Sequence, residues 1–341
     1  MNNGNYKGRF IILSERNYRR IHHVSYDTVL GMENSFVREG TIRYSLSMPI
    51  KQVNRVLKKL KIKQVPDFTI KCTLNDYYLF ICMGIDDLER QMFTLKRISE
   101  KTHHVILYCF DTWEIQYKEW NRLFSIIKPA YIFFAYKSSK EYFQYIYNNV
   151  YFLPQSMDDS SFYPRNIPKE RLFMQMGRKN TNIHKMILRY LQAHGLNDTD
   201  ENYVYERECG KIIYPQKNEL AMNICKTYFF VCAPKLSENP ELTGNISDVT
   251  ARFYEAMACK SLIIGFKPKT YDELFPSDSM IELNKDGSDF EEKITYFLNN
   301  SDAYKALVDR NYLYVSDYHR WRNRLYSILE TVGISTKDRI F

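Results

Sequence analysis

The sequence predicts an α/β protein of two domains, each a parallel sheet with helices on both faces. Three observations carry this. Short apolar runs of strand type alternate with segments of helical period along the chain. At 341 residues the chain is long for one core and comfortable for two. One stretch rich in Pro, Ser and Asp, Pro154–Arg171, divides the alternation into two series.

The first series places strands at Phe10–Leu13, Tyr77–Cys82, Val105–Tyr108, Tyr131–Phe134 and Val150–Leu153. The second places them at Leu172–Gln175, Tyr203–Tyr205, Tyr228–Cys232, Leu262–Gly265 and Met280–Leu283. Helical patterns fall at Asp87–Ser99, Trp113–Ile127, Lys140–Asn148, Asn182–His194, Val249–Cys259, Asp289–Asn299 and Ala303–Val315. The domains are therefore 1–155 and 171–317, with 156–170 as the linker. In the last stretch, 318–341, Trp321, Leu325, Ile328 and Leu329 form one helical stripe. It packs either on its own domain or back on the first.

Hydrophobic content of 45% and charge of 26% call for a packed globular protein. A net charge of +8 suits nucleotide phosphates or anionic lipid without demanding either. No nucleic-acid recognition motif occurs, so no nucleic-acid partner is expected. The seven cysteines are odd in number, show no C-x-x-C spacing and sit mostly in apolar runs. They read as buried free thiols of a reducing compartment. The N-terminus lacks an apolar signal region, and no run reaches transmembrane length. The expected location is cytoplasmic, with peripheral contact at the inner membrane face as a further option. His22–His23 and His103–His104 have no metal-ligand company.

Ser247–Phe266, SDVTARFYEAMACKSLIIGF, is the most informative segment. A polar turn leads into a short helix and then an apolar strand. At about 100° per residue, Phe253, Ala256 and Met257 share one face. Arg252 and Glu255 share the other, among the small residues Ala251, Ala258 and Cys259. Asp248 or Ser247 can cap the helix, and its free N–H groups near Val249 and Thr250 then favour an anion. Two readings fit: an ordinary crossover helix with a solvated Arg–Glu pair, or a helix that meets a phosphate and a pair of hydroxyls.

These residues resemble the donor-site signature R-x-x-E-A-x-A-C-G of GT-B glycosyltransferases, especially the CgeB-like group and its wider group 1, retaining relatives. Arg252, Glu255, Ala256, Ala258 and Cys259 carry the match. The resemblance implies two Rossmann-like domains facing across a cleft. It implies that Glu255 binds the ribose of a nucleotide sugar and that Asp248, Val249 and Thr250 lie near its diphosphate. Lys260 stands where the family has Gly. Ser247 stands where the wider family has an earlier Glu that holds the sugar.

The linker loosely resembles the P-x-G-x-D-x-x-x-F-x-P joining stretch of GT-B enzymes through Pro154, Asp158 or Asp159, Phe162 and Pro164. After it, Leu172–Gly177 reads as a strand ending in Gly before a helix, a geometry that offers backbone N–H groups to phosphate. Relatives carry V-G-R or V-G-S there and a basic residue farther on. The resemblance assigns diphosphate neutralisation to Arg178, and to Lys185 or His184 after it. A solvated Arg-Lys-Asn turn is the plain alternative.

In the first half, Asp111 follows the run Val105–Phe110, at a strand's C-terminal end. It is the acceptor-side candidate, or else a helix N-cap before Trp113. Gly84, Asp86 and Asp87 follow Cys82-Met83 in the same way. Lys51–Lys63 places Val53, Val56, Leu57 and Leu60 at helical spacing among six basic residues. It is either a solvated surface helix or a face for an anionic membrane.

The expectation is a hexosyltransferase that moves a sugar from a nucleotide-sugar donor to a glycan, lipid-linked or protein acceptor. The setting would be cell-surface or extracellular polysaccharide or glycoconjugate synthesis. Arg178, Lys185 and Arg252 stabilise the leaving diphosphate. Retention is implied by the family likeness. No cofactor and no metal are expected. The alternatives are a non-catalytic GT-B descendant that binds nucleotide or glycan, and a sugar-nucleotide epimerase.

Overall fold

The computed structural model describes residues 8–18, 24–177, 179–207, 212–234 and 240–334. The chain forms two compact units. One holds the described residues up to Pro154 and those from Trp321 onward; the other is Gln155–Arg320.

The first unit begins β1 Phe10–Ser14, α1 Val24–Arg38, β2 Ile42–Ser45, α2 Met48–Lys59 and β3 Tyr77–Cys82. It continues α3 Ile85–Thr102, β4 Val105–Cys109, α4 Tyr117–Ile127, β5 Tyr131–Phe134, α5 Lys137–Phe143 and β6 Val150–Phe152. The strands form one sheet of order β2-β1-β3-β4-β5-β6, parallel at every pairing. Alternate residues serve opposite faces. Ile11, Leu13, Tyr78, Phe80 and Leu107 join the side chains of α3 and α4; Phe10, Ile12, Leu79, Ile106 and Tyr108 join α1.

The second unit runs β7 Arg171–Gln175, α6 Thr181–Ala193, β8 Tyr203–Tyr205, α7 Lys217–Cys225, β9 Thr227–Cys232 and α8 Pro240–Thr243. Then come α9 Ala251–Ala258, β10 Leu262–Gly265, α10 Tyr271–Leu274, β11 Ile281–Glu282, α11 Phe290–Asn299 and α12 Ser301–Tyr318. Its sheet is also parallel, of order β11-β10-β9-β7-β8. Met174, Phe230 and Ile263 pack with α7 and α9 on one face; Phe173, Phe229 and Ile264 pack with α6 and α11 on the other.

The final helix, α13 Trp321–Thr331, belongs to the first unit. Trp321, Leu325, Ile328 and Leu329 enter the core beside α1, and the Trp321 ring meets Tyr108 and Phe110 edge-on at 6.4 and 5.9 Å. Arg324 Nε donates to the Pro154 carbonyl at 2.8 Å.

Several expectations shift. Residues 156–170 are not a free tether: Met157 and Phe162 lie in the second unit's core. Asp158 accepts from Lys217 Nζ at 3.1 Å and from the hydroxyls of Ser160 and Ser161. The segment expected at Lys140–Asn148 is helical over Lys137–Phe143. β2 went unread because it is a half-exposed edge strand, IRYS, with Ile42 outward and Arg43 paired to Glu33 at 3.2 Å. His22–His23 lie outside the described residues. His103 closes α3 at φ +57°, and His104 stacks on Tyr77 at 4.5 Å. No helix among the described residues is long and apolar enough to cross a membrane.

Candidate functional site

In the second sheet the chain passes from β7 to β8 on one side and then returns to β9 on the other. Connections leave β7 in opposite directions there, so the C-terminal ends of β7 and β9 flank a topological switch point, the usual ligand crevice of an open parallel sheet. Gly177 follows β7, and the turn into α9 follows β9 and α8.

The helix starts later than the sequence suggests. Thr250 is the N-cap, and neither Asp248 nor Ser247 is; the Thr250 side chain makes no capping bond. Gln155 caps instead, its Oε1 accepting from the Ala251 N–H at 2.9 Å. Val249 N–H donates to Thr270 Oγ1 at 3.2 Å. Two of the turn's N–H groups are thus already used. Those of Thr250 and Arg252 take no partner among the described residues. They are the donors left for an anion.

On α9, Arg252 Nη1 lies 2.5 Å from Glu255 Oε2. Glu255 is 7% exposed, and its Oε1 accepts no hydrogen bond among the described residues. Asp248 and Val249 are buried beside this start, and Thr250 is half-buried. Two of the small residues serve packing within the unit. Ala258 and Cys259 do not wait for a ligand; they lie in the core, where α9 packs against α12. Small side chains let two helices approach. Only the first turn of the helix stays open.

Gly177 is at φ +82°, with open space where a Cβ would stand, so only glycine holds this turn without strain. Its N–H donates to Glu206 Oε1 at 3.1 Å. A carboxylate therefore sits where the sequence suggested a phosphate oxygen. Arg178 lies outside the described residues. Asn180 caps α6 by accepting from Ile183 N–H at 3.1 Å, which makes Lys185 an exposed residue of the second turn. His184 Nδ1 is 3.1 Å from the Tyr203 hydroxyl. Burial, then nearby Lys179, pushes its pKa down. At neutral pH it is an uncharged imidazole and a poor phosphate neutraliser.

Lys260 stands at the C-terminal end of α9 with φ +54°, one residue past the C-cap Cys259. That is a left-handed position where glycine is the unstrained choice. The lysine is held by Asp309 at 2.6 Å and lies over the Tyr312 ring. The departure from glycine bears on helix termination, a full helix length from the open turn.

In the first unit Asp111 Oδ1 accepts from the Tyr136 hydroxyl at 2.9 Å. The following 3-10 turn is capped at Trp113 with no side-chain bond, so Asp111 is not its cap. The switch point of this sheet falls one strand away, between β1 and β3. Buried Glu15 sits there, bonded to Arg90 at 2.9 Å and Gln91 at 2.7 Å. Asp87 accepts from Met83 N–H at 2.8 Å and pairs with Arg90, and Gly84 caps α3; Asp86 is exposed.

The structure resembles HepE of Anabaena in complex with UDP-glucose at a TM-score of 0.57, with 7% identity over 95% of this chain and 99% of that one. It resembles a glycosyltransferase of Rickettsia africae at 0.51, with 11% identity over 95% and 98%. It also resembles T4 phage BGT in complex with UDP and Mn2+ at 0.52, with 8% identity over 96% and 100%. No curated protein matches in sequence. Residues 206–330 match the family model described as Glycosyl transferase-like. The chain has the GT-B fold.

Local sequence patterns missed Gln155, Thr270 and Glu206. Gln155 and Thr270 meet the turn from 96 and 21 residues away, so no local pattern shows them. Glu206 had a signal: it directly follows the strand Tyr203–Tyr205, at the sheet edge where ligand groups gather. Among the described residues no three His, Cys, Asp or Glu side chains converge as a metal cluster.

Proposed function

We propose that this chain is a glycosyltransferase that takes its sugar from a nucleoside diphosphate donor, with a uridine diphosphate sugar as the first candidate, and passes it to a glycan or lipid-linked acceptor with retention. The observation that carries the reading is the open first turn of α9. It joins the Arg252 guanidinium with two N–H groups and one Glu255 oxygen that take no partner among the described residues, at the switch point of a parallel sheet. In this reading the diphosphate meets the N–H groups of Thr250 and Arg252, and Glu255 Oε1 accepts from a ribose hydroxyl. The uridine choice is supported by HepE and T4 phage BGT, whose structures hold UDP-glucose and UDP.

The anomeric C–O bond to phosphate breaks with its electron pair going to the diphosphate. The acceptor hydroxyl bonds to the anomeric carbon, and its proton passes to the leaving phosphate. Arg252, with Arg178 and Lys185 assigned as further cations, stabilises the charge that grows on the diphosphate. Cationic side chains supply this stabilisation, so the reading requires no divalent metal; full activity in excess EDTA is the corresponding result. Asp111 is assigned to the acceptor side.

α2 supports peripheral contact with an anionic membrane, the setting of a lipid-linked acceptor. None of its residues is buried; Val53, Val56 and Leu60 are 46%, 56% and 62% exposed among Arg55, Lys58 and Lys59. An ordinary surface helix turns its apolar stripe inward.

The deciding experiment is a thermal-shift series with UDP and UDP-sugars, followed by transfer of a labelled sugar. Ligand at about 100 times Kd adds about 2.7 kcal/mol, a rise of several degrees. A shift with one nucleotide, lost in Glu255→Ala, is expected. A folded protein that shifts with no nucleotide sugar would reject the donor site.

A further inference from the structure

A pocket of about 230 Å³ opens in the Gln155–Arg320 unit. None of the donor-turn residues lines it. Cys225, the last residue of α7, and Cys259, the C-cap of α9, both do. Four cations, Arg165, Lys169, Lys260 and Lys305, share the lining with the single carboxylate Asp309. Asp309 is already engaged by Lys260. The pocket therefore carries excess positive charge around two thiols.

The two thiols are not equivalent. Arg165 Nη1 lies 3.9 Å from Cys225 Sγ, the same sulfur donates to the Tyr163 carbonyl at 3.5 Å, and Cys259 lines the same pocket. The neighbouring Cys259 thiol first, and Arg165 after it, outweigh burial and lower the Cys225 thiol to about 6. Cys259 is fully enclosed, and burial pushes it well above the usual thiol value. One sulfur is set up to attack and the other to stay protonated until needed.

We propose that this pocket is a thiol-modification site for small anionic disulfides, with Cys225 the attacking sulfur and Cys259 the resolving one. The Cys225 thiolate attacks one sulfur of the reagent, forms a mixed disulfide and releases one thiolate. Cys259 then gives its proton to solvent and attacks the Cys225 sulfur. The Cys225–Cys259 bond forms, and the second reagent thiolate leaves. The protein loses two electrons and two protons, and the reagent is reduced to two thiols. The bond ties the end of α7 to the end of α9, four residues from Glu255. The site is independent of the donor reading, and its test uses no nucleotide.

The test uses the full chain with Cys72→Ser and Cys209→Ser, the reagents dithiodiglycolate (anionic) and cystamine (cationic), and intact mass with thiol counting. Dithiodiglycolate is expected to add once and transiently, leaving a chain two hydrogens lighter with two thiols fewer. Cys259→Ser should trap the adduct, and Cys225→Ser should abolish the fast phase. The anion should outpace the cation by roughly ten-fold relative to their rates on the urea-unfolded chain. The fast phase of the parent protein should reach half its plateau near pH 6, a reading that needs no variant at Cys225. A half-point near the ordinary value of about 8.5, equal relative rates for the two reagents, or an unchanged fast phase in a folded Cys225→Ser would each overturn the site.

Discussion

Arg252 Nη1 and Glu255 Oε2 lie 2.5 Å apart, three residues from each other on α9. Each holds the other's side chain over the open turn before any ligand arrives, so less ordering is left for binding. The pairing also uses only one carboxylate oxygen. Glu255→Ala should lower nucleotide affinity about 10–100-fold, the range of about 1.4–2.8 kcal/mol for hydrogen bonds to a charged group. Isothermal titration with UDP reads this directly. Affinity equal to the parent's, in a protein that melts normally, removes Glu255 from the donor site.

Gln155 is the helix cap and should show itself twice. Gln155→Ala leaves the Ala251 N–H without its acceptor and should cost about 1 kcal/mol in urea unfolding. Gln155→Glu keeps the acceptor and adds negative charge beside the proposed diphosphate. It should retain stability yet bind UDP more weakly, most clearly at low salt. Tighter UDP binding in this variant would place the phosphates elsewhere.

Lys260→Gly tests whether the departure from the family pattern matters to the donor. Glycine relieves the left-handed strain by up to about 1 kcal/mol, against a half-exposed ion pair to Asp309 worth about 0–1 kcal/mol. Stability should move by less than about 1 kcal/mol, and UDP affinity should stay the same. A large affinity gain would show that Lys260 obstructs the site.

Asp158 should make the second unit acid-sensitive. Burial alone would raise its carboxyl, but Lys217 and the Ser160 bonds outweigh burial and hold it below the ordinary 3.8. A depressed carboxyl contributes its full stability above the unfolded value and loses it as pH falls through the folded one. Asp158→Asn should therefore cost about 2–3 kcal/mol at pH 7, and the gap to the parent should narrow below 3.8. Urea melts at both pH values check this; a constant gap would mean that the pair contributes by packing alone.

Membrane contact by α2 predicts salt-sensitive binding to vesicles of anionic phospholipid and little binding to neutral ones. Val56→Glu with Leu60→Glu should reduce the bound fraction at least about ten-fold, because both apolar contact and charge attraction are lost. Both positions are exposed, so folding should be unaffected. Equal sedimentation of variant and parent would free this face from any membrane role.

Much of the fold was readable because strands buried on both faces are nearly continuous apolar runs. Tyr77–Cys82 and Val105–Cys109 announce themselves by composition. β2 did not, since one side of an edge strand meets water and IRYS carries little apolar signal. The Arg252–Glu255 pair was readable for a related reason: residues three apart on a helix must neighbour each other, whatever the rest of the chain does.

The sequence by itself determined the α/β class, the order of the elements and the position of helix α9. These follow from local periodicity and from spacing along one chain. Only the tertiary structure decided which N–H groups of that helix are taken, because Gln155 and Thr270 reach them from distant segments. It also decided that Ala258 and Cys259 serve helix packing and that Gly177 meets Glu206. It placed Trp321 with the first unit and Cys225 beside Cys259. Contacts between residues far apart in sequence depend on how the sheets and helices pack, and no local pattern of residues carries that information.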